Sequence, residues 1–202
     1  MRIAIVTFDG FDEIDTFVPL ALLNRLGAAG WRAEIASPAT HVSSMNGVTV
    51  QAQRPLAFAN EADAVILGGG RYARAIAEHG AVIDRLTLDP LRQSIGATSA
   101  GVLLLARLGL LADMPACADA ATRPWIVEAG VRVVDEPFHA RGPIATAGGS
   151  LASPCLAAWL MARHAGFDAA GQALRPAAPG GDRDAWVAQL LAVVRPFVAV
   201  EG

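Results

Sequence analysis

The chain has 202 residues, 53% hydrophobic and 17% charged, with a formal net charge of -3. That excludes a disordered chain and leaves no basic footprint for nucleic acid, and it fits one domain, expected over residues 1–202. No apolar run reaches the roughly 18 residues that span a bilayer, and all 16 basic residues are arginine, which excludes Schiff-base chemistry through a lysine.

The N-terminus runs straight into an apolar strand over residues 2–8, typical of a strand covered on both faces, and turn residues follow at once. No signal peptide is read there, and a cytoplasmic protein is expected. Asp9 to Glu13 is a turn. Thr16 to Gly30 carries Phe17, Leu20, Leu23 and Leu26 at helical spacing, with Gly30 as the stop. Strands are expected over 32–36, over 48–52 behind the Asn46-Gly47 turn, and over 62–67, which ends in Gly68-Gly69-Gly70. A helix is expected from Arg71 to Leu88, then a short strand ending at Thr98 and a helix beginning at Ala100. A helix interrupted near Pro124 follows over 118–129, with late strands over 131–134 and 143–146. The last expected elements are helices over 151–165 and 184–197, with a Pro/Gly-rich surface loop between Arg175 and Gly181.

Strands alternating with helices predict a mostly parallel sheet with helices on both faces. Sites in such sheets form beyond the C-terminal strand ends. Three loops fall there. The first carries Asp12, Glu13 and Asp15. Asp15 is placed to floor a crevice and equally to cap the helix that follows, since aspartate is a preferred N-cap. The second, Gly68-Gly69-Gly70, offers backbone N–H groups for an anion or oxyanion, but no Lys-Ser/Thr follows to make a P-loop. The third holds Ser99 between strand and helix, with Gly101 two positions on. That is the shape of a nucleophile elbow, in which the bend pushes its side chain over the sheet edge and the next helix aims N–H groups at it. The two cysteines, Cys117 and Cys155, form no disulfide framework or zinc spacing. Cys117 follows the elbow helix, and its ordinary role is a small core residue. His139 lies in a late loop within reach of the crevice, whereas His79 and His164 lie near helix ends. No metal or other cofactor is expected.

Four stretches, in order, resemble the DJ-1/PfpI (ThiJ/PfpI) superfamily of the class I glutamine amidotransferase-like fold. They are Gly10-Phe11-Asp12-Glu13-Ile14-Asp15-Thr16-Phe17-Val18-Pro19; Leu67-Gly68-Gly69-Gly70; Thr98-Ser99-Ala100-Gly101 with Leu105 to Leu111; and Ala145-Thr146-Ala147-Gly148-Gly149-Ser150-Leu151-Ala152. The resemblance spans roughly residues 2–170 and is nearest the isonitrile hydratase-like branch. It implies a three-layer α/β/α sandwich with a flavodoxin-like, mostly parallel sheet. It also implies a homodimer that acts on a small molecule; the charge and the apolar runs above predict no nucleic-acid or membrane partner.

The chain departs from the family pattern at named positions. The family usually has cysteine at the elbow, where Ser99 stands with Asp15 as its acid. A histidine common beyond the Gly-Leu-Leu motif falls at Asp119. The residue after the nucleophile, often threonine in the isonitrile hydratase branch, is Ala100, and an aspartate of the late helix is replaced by Cys155. The expected site is therefore Ser99 and Asp15 as catalytic pair, with Gly69, Gly70 and Ala100 supplying oxyanion or ligand contacts. Asp119, Cys117 and His139 are further pocket candidates. Two functions fit. One is hydration or hydrolysis of a C–N bond in a small molecule, as in isonitrile hydratases and amidase-like relatives. The alternative is a catalytically degenerate small-ligand-binding or sensor domain.

Overall fold

The computed structural model describes residues 1–198; the last four positions of the expected 1–202 domain lie outside the described residues. The first half runs β1 (Arg2–Val6), α1 (Glu13–Leu23), β2 (Arg32–Ser37), β3 (His41–Ser43), β4 (Thr49–Gln51), β5 (Arg54–Pro55), β6 (Ala64–Leu67) and α2 (Ala73–His79). The second half runs β7 (Ser94–Thr98), α3 (Gly101–Arg107), β8 (Ala116–Cys117), α4 (Arg123–Glu128), β9 (Val133–Val134), β10 (Phe138–Arg141), β11 (Ile144–Ala147), α5 (Ser153–Ala165), α6 (Phe167–Leu174) and α7 (Arg183–Val194).

The central sheet has the order β10-β11-β7-β6-β1-β2-β5. Every pairing in it is parallel except β10 on β11. Alternation along β1 sets the layers. Ile3 and Ile5 face one core with α1, α5, α6 and α7, whereas Ala4 and Val6 face another with α2, α3 and α4. Both sheet faces are thus covered, as the near-continuous apolar strands require, and the expected α/β architecture is present.

Several boundaries differ from the sequence reading. The first strand stops at Val6. Helix α1 begins three residues early, at Glu13, because Asp12 accepts the Ile14 N–H at 2.8 Å. It is Asp12, not Asp15, that caps this helix. Helix α2 is shorter than the expected 71–88 at both ends. Arg71 donates its N–H to the Gly10 carbonyl, and Gly80 ends the helix before a short 3₁₀ turn over Ile83–Arg85. Pro124 does not interrupt a helix but opens α4, where its missing N–H is harmless. Strand β10, helix α6 and the pairing of β3 with the expected 48–52 strand go beyond the sequence reading.

Close packing of α3 against the sheet depends on Gly101. A Cβ there would stand 2.3 Å from the Leu67 carbonyl oxygen and 2.8 Å from that of Gly68. These are backbone atoms with no rotamer to yield, so a larger residue must push α3 off β6. Gly101→Ala is therefore expected to destabilise the fold by about 2 kcal/mol, the range for overpacking a tight interior. Urea unfolding would show this as a lower midpoint at unchanged m-value; a wild-type midpoint would mean that α3 does not depend on this approach.

Candidate active site

The crossovers from β1 and from β6 run in opposite directions across the sheet, so a crevice opens above their C-terminal ends. The loops after β1, β6, β7 and β11 converge there. The first two are stitched together: the Asp12 N–H donates to the Gly69 carbonyl at 3.1 Å, and Arg71 N–H to that of Gly10 at 2.8 Å.

Ser99 directly follows β7 in a left-handed backbone conformation, φ +51°, the one non-glycine residue with positive φ among the described residues. Such a conformation costs on the order of 1–3 kcal/mol and persists only where the surroundings enforce it. Here the Ser99 N–H donates to the Ala147 carbonyl of β11 and its own carbonyl accepts from Val102 N–H in α3. The bend is fixed from both sides, as an elbow requires. The side chain is 7% exposed. Its hydroxyl donates toward Asp15 Oδ1 at 3.4 Å and lies 3.3 Å from the Ser150 hydroxyl.

The three acids of the first loop separate into different roles. Glu13 is tied to the β3–β4 hairpin, accepting from the Ser44 hydroxyl and from Asn46 Nδ2, and these bonds hold its carboxyl below the ordinary range. Asp12 caps α1 with Oδ1, and its Oδ2 accepts the Ser150 hydroxyl at 2.9 Å. Asp15 lies beneath Ser99 with no exposed surface. Its Oδ2 accepts the Gly69 N–H at 2.9 Å, and its Oδ1 faces the hydroxyls of Thr98 at 3.3 Å and Ser99 at 3.4 Å. Burial first, and the nearby Asp12 charge second, push the Asp15 carboxyl up to about 6, against the bonds from Gly69 and Ser99. A carboxylate so placed is a far better base near neutrality than an exposed one.

Gly69 is packed between these groups: a Cβ would stand 2.7 Å from Asp15 Oδ2 and 2.9 Å from both Ala100 N and Ser99 Cβ. The backbone N–H groups of Gly70 and Ala100 donate to no group among the described residues. Ala100 directly follows the elbow residue and Gly70 follows Gly69, and both N–H groups remain available to an anion. Ser150, half-buried at the start of a 3₁₀ turn after β11, completes the cluster. Sequence reasoning missed Ser150 as a site residue. The available signal was a hydroxyl directly after Gly148-Gly149 at a C-terminal strand end.

The remaining candidates do not join the centre. Cys117 is fully buried, its N–H bonded to Thr146 Oγ1, and burial pushes its thiol up to about 12. Asp119 lies near Gly149 but spends its oxygens on its own turn, accepting from the N–H groups of Ala121 and Thr122 and from the Thr122 hydroxyl. His139 sits on the antiparallel edge strand β10, its ring 5.1 Å from that of Phe197. His164 bonds the Ser94 hydroxyl at the other end of β7, at 2.9 Å. No histidine hydrogen-bonds Ser99 or Asp15. Among the described residues no cluster of three His, Cys, Asp or Glu side chains could hold a metal, and no helix is long and apolar enough to cross a membrane. Beyond Ser150 a cleft of about 640 Å³ runs between the 148–155 segment and α7, lined by Leu151, Trp186, Leu190 and Val193 among others.

Two outcomes follow from these environments. Asp15 has a folded pKa above its unfolded one, so the native state holds more protons between about pH 4 and 6, and stability falls as pH rises through that window. Asp15→Asn removes this penalty while keeping an oxygen for Gly69. It should match wild type at about pH 4 and exceed it by up to about 3 kcal/mol at about pH 7 in urea unfolding. An equal difference at both pH values would show that Asp15 does not titrate abnormally. Cys117 and Cys155, both buried and pushed up to about 12 and about 11, should resist iodoacetamide in the native protein and alkylate on unfolding, read by intact mass. Ready native labelling would contradict their burial.

Comparison with known proteins is consistent with this arrangement. Among solved structures, Schizosaccharomyces pombe DJ-1 superposes with a TM-score of 0.73 at 20% identity, covering 86% of this chain and 96% of that one. A cysteine-to-alanine mutant of a DJ-1 superfamily protein from Salmonella typhimurium gives 0.71 at 26% identity, covering 84% and 92%. An AraC family transcriptional regulator from Pseudomonas putida gives 0.68 at 20% identity, covering 85% and 96%. No curated protein sequence matches. The DJ-1/PfpI family model matches residues 1–163, which contain β1 through β11 and the whole Ser99–Asp15 cluster, and the chain belongs to the DJ-1/PfpI family.

Proposed function

We propose that this protein is an enzyme that hydrates or hydrolyses a C–N bond in a small molecule, with Ser99 at the centre of the reaction. The observation that carries this reading is the strained elbow: Ser99 at φ +51° stands over the buried carboxylate of Asp15. Strain of this kind clusters at functional positions. In the proposed reaction the Ser99 hydroxyl attacks an electrophilic carbon of an isonitrile or amide, or orients a water that does so. Asp15 takes the proton released, and the N–H groups of Gly70 and Ala100 receive the negative charge that develops on the substrate. The cleft beyond Ser150 favours a substrate with an apolar substituent. Family resemblance supports a homodimer acting on a small molecule, and the net charge of -3 favours no nucleic-acid partner. The exposed Ile14 and Leu151, neighbours in sequence of Asp15 and Ser150, are compatible with a protein contact near the site.

A second reading, a ligand-binding domain without turnover, is favoured by one specific feature. No histidine bonds Ser99, and the Ser99–Asp15 distance of 3.4 Å is long for a hydroxyl bond to a carboxylate. The similarity to the AraC family regulator is compatible with it.

Turnover of isonitriles, amides, esters and α-oxoaldehydes by wild type and Ser99→Ala separates the two. The enzyme reading expects Ser99→Ala to lose at least about a hundredfold in kcat/KM for the accepted substrate. It also expects activity to rise with pH through about 6 as Asp15 loses its proton. Wild-type rates no higher than those of Ser99→Ala, together with saturable binding of one of these compounds, would establish the second reading instead.

A further inference from the structure

We propose that Asp12, acting through the Ser150 hydroxyl, is a second proton acceptor for Ser99, so that the elbow serine stands between two carboxylates. The proposal rests on the reading of Ser99 as the reacting group and adds a route that the Ser99–Asp15 pair does not contain.

The argument is a count of protons. Ser150 has one hydroxyl hydrogen, and its shortest bond is to Asp12 Oδ2, at 2.9 Å. With that hydrogen on Asp12, Ser150 accepts and Ser99 donates in the 3.3 Å contact between the two serine hydroxyls. The Ser99 hydrogen has two acceptors at nearly equal distance: Ser150 Oγ at 3.3 Å and Asp15 Oδ1 at 3.4 Å. Asp15 Oδ1 is also contested by the Thr98 hydroxyl, at 3.3 Å. When Asp15 is protonated its hydrogen belongs on Oδ1, because Oδ2 already faces the Gly69 N–H. Asp15 then becomes a donor, and among the described residues Ser150 is the acceptor left within hydrogen-bond range of Ser99.

Along this route the Ser99 O–H bond breaks as Ser99 Oγ bonds to the electrophile. The Ser99 proton passes to Ser150 Oγ, and the Ser150 proton passes to Asp12 Oδ2. The net result is a neutral Asp12 carboxyl and an unchanged Ser150, with no oxidant or further reactant. Asp12 stays anchored throughout, because its other oxygen caps α1 through Ile14 N–H. The charged groups next to it on α1 are Glu13, which is tied to Ser44 and Asn46, and Asp15, whose carboxyl the Asp12 charge raises.

The test uses phenylmethanesulfonyl fluoride on the full chain, following sulfonyl transfer to Ser99 by intact mass with fluoride as the leaving group. In an Asp15→Asn background the direct acceptor is gone. The relay predicts that Ser99 still reacts, that adding Ser150→Ala slows it at least about tenfold, and that Ser150→Thr restores it. Equal rates for Asp15→Asn with and without Ser150→Ala would overturn the proposal. A wild type that does not label at all would count against the reading of Ser99 as a nucleophile. The relay is then judged by the carbon-13 chemical shift of the Asp12 carboxyl at one fixed pH. Ser99→Ala should move that resonance when Ser150 is present and leave it unmoved in Ser150→Ala. The same shift in both backgrounds, or none in either, would overturn the relay independently of reactivity.

Discussion

The site depends on an absence, the missing side chain at Gly69. Its N–H reaches Asp15 Oδ2 at 2.9 Å while its α-carbon passes so close to the elbow that a Cβ would collide with Asp15, Ala100 and Ser99 together. Three strand ends meet at this point: the loop after β1 supplies the carboxylate, the loop after β6 the N–H, and the turn after β7 the serine. Any side chain at Gly69 would separate all three. Gly101, one turn below, performs the matching task for α3, letting the helix approach the Leu67 carbonyl and aim its N-terminus at the elbow.

That closeness sets the electrostatics. Burying Asp15 without a cationic partner leaves it supported only by hydrogen bonds, and desolvation outweighs them. The result is a carboxyl that changes charge near neutrality and weakens the fold when it ionises. A bound arginine or lysine would have stabilised the charge and removed the basicity. The described residues provide the opposite, a second carboxylate at Asp12, whose repulsion raises Asp15 further. Stability is thus lower at neutral pH than the packing alone would allow.

The sheet and its direction were legible from hydrophobic periodicity. The strands at 2–6, 32–37, 64–67, 94–98 and 144–147 all fall within or beside the apolar runs read from sequence. So was the centre of the site, because the elbow, the glycine run and the first acidic loop each carry a local pattern. What escaped has physical reasons. Strand β10 pairs only with β11 at the sheet edge and carries His139 and Arg141, so its apolar signal is weak. Helix α6 follows α5 after a single glycine and reads as its continuation or as loop. Asp15 and Asp12 are both residues of cap type, three positions apart; Asp15 is engaged by Gly69, 54 positions away, a contact no local window shows, and Asp12 is left to cap. Ser150 owes its place to contacts with residues 51 and 138 positions away, which no local window can reveal.

The choice of oxygen at the elbow bears on everything near it. A thiol ionises close enough to neutrality that neighbouring N–H groups alone can draw out the thiolate. A hydroxyl does not; it reacts only as its proton leaves, and it needs an acceptor in contact at that moment. The surroundings of Ser99 match the second requirement. The nearby thiols at Cys117 and Cys155 are buried and held protonated, whereas the hydroxyl is flanked by Asp15 on one side and the Ser150–Asp12 pair on the other. An elbow merely retained as a structural turn has no need of acceptors on both sides of its side chain, nor of a buried carboxylate that costs the fold stability. The arrangement has a physical rationale if the proton of Ser99 is meant to move.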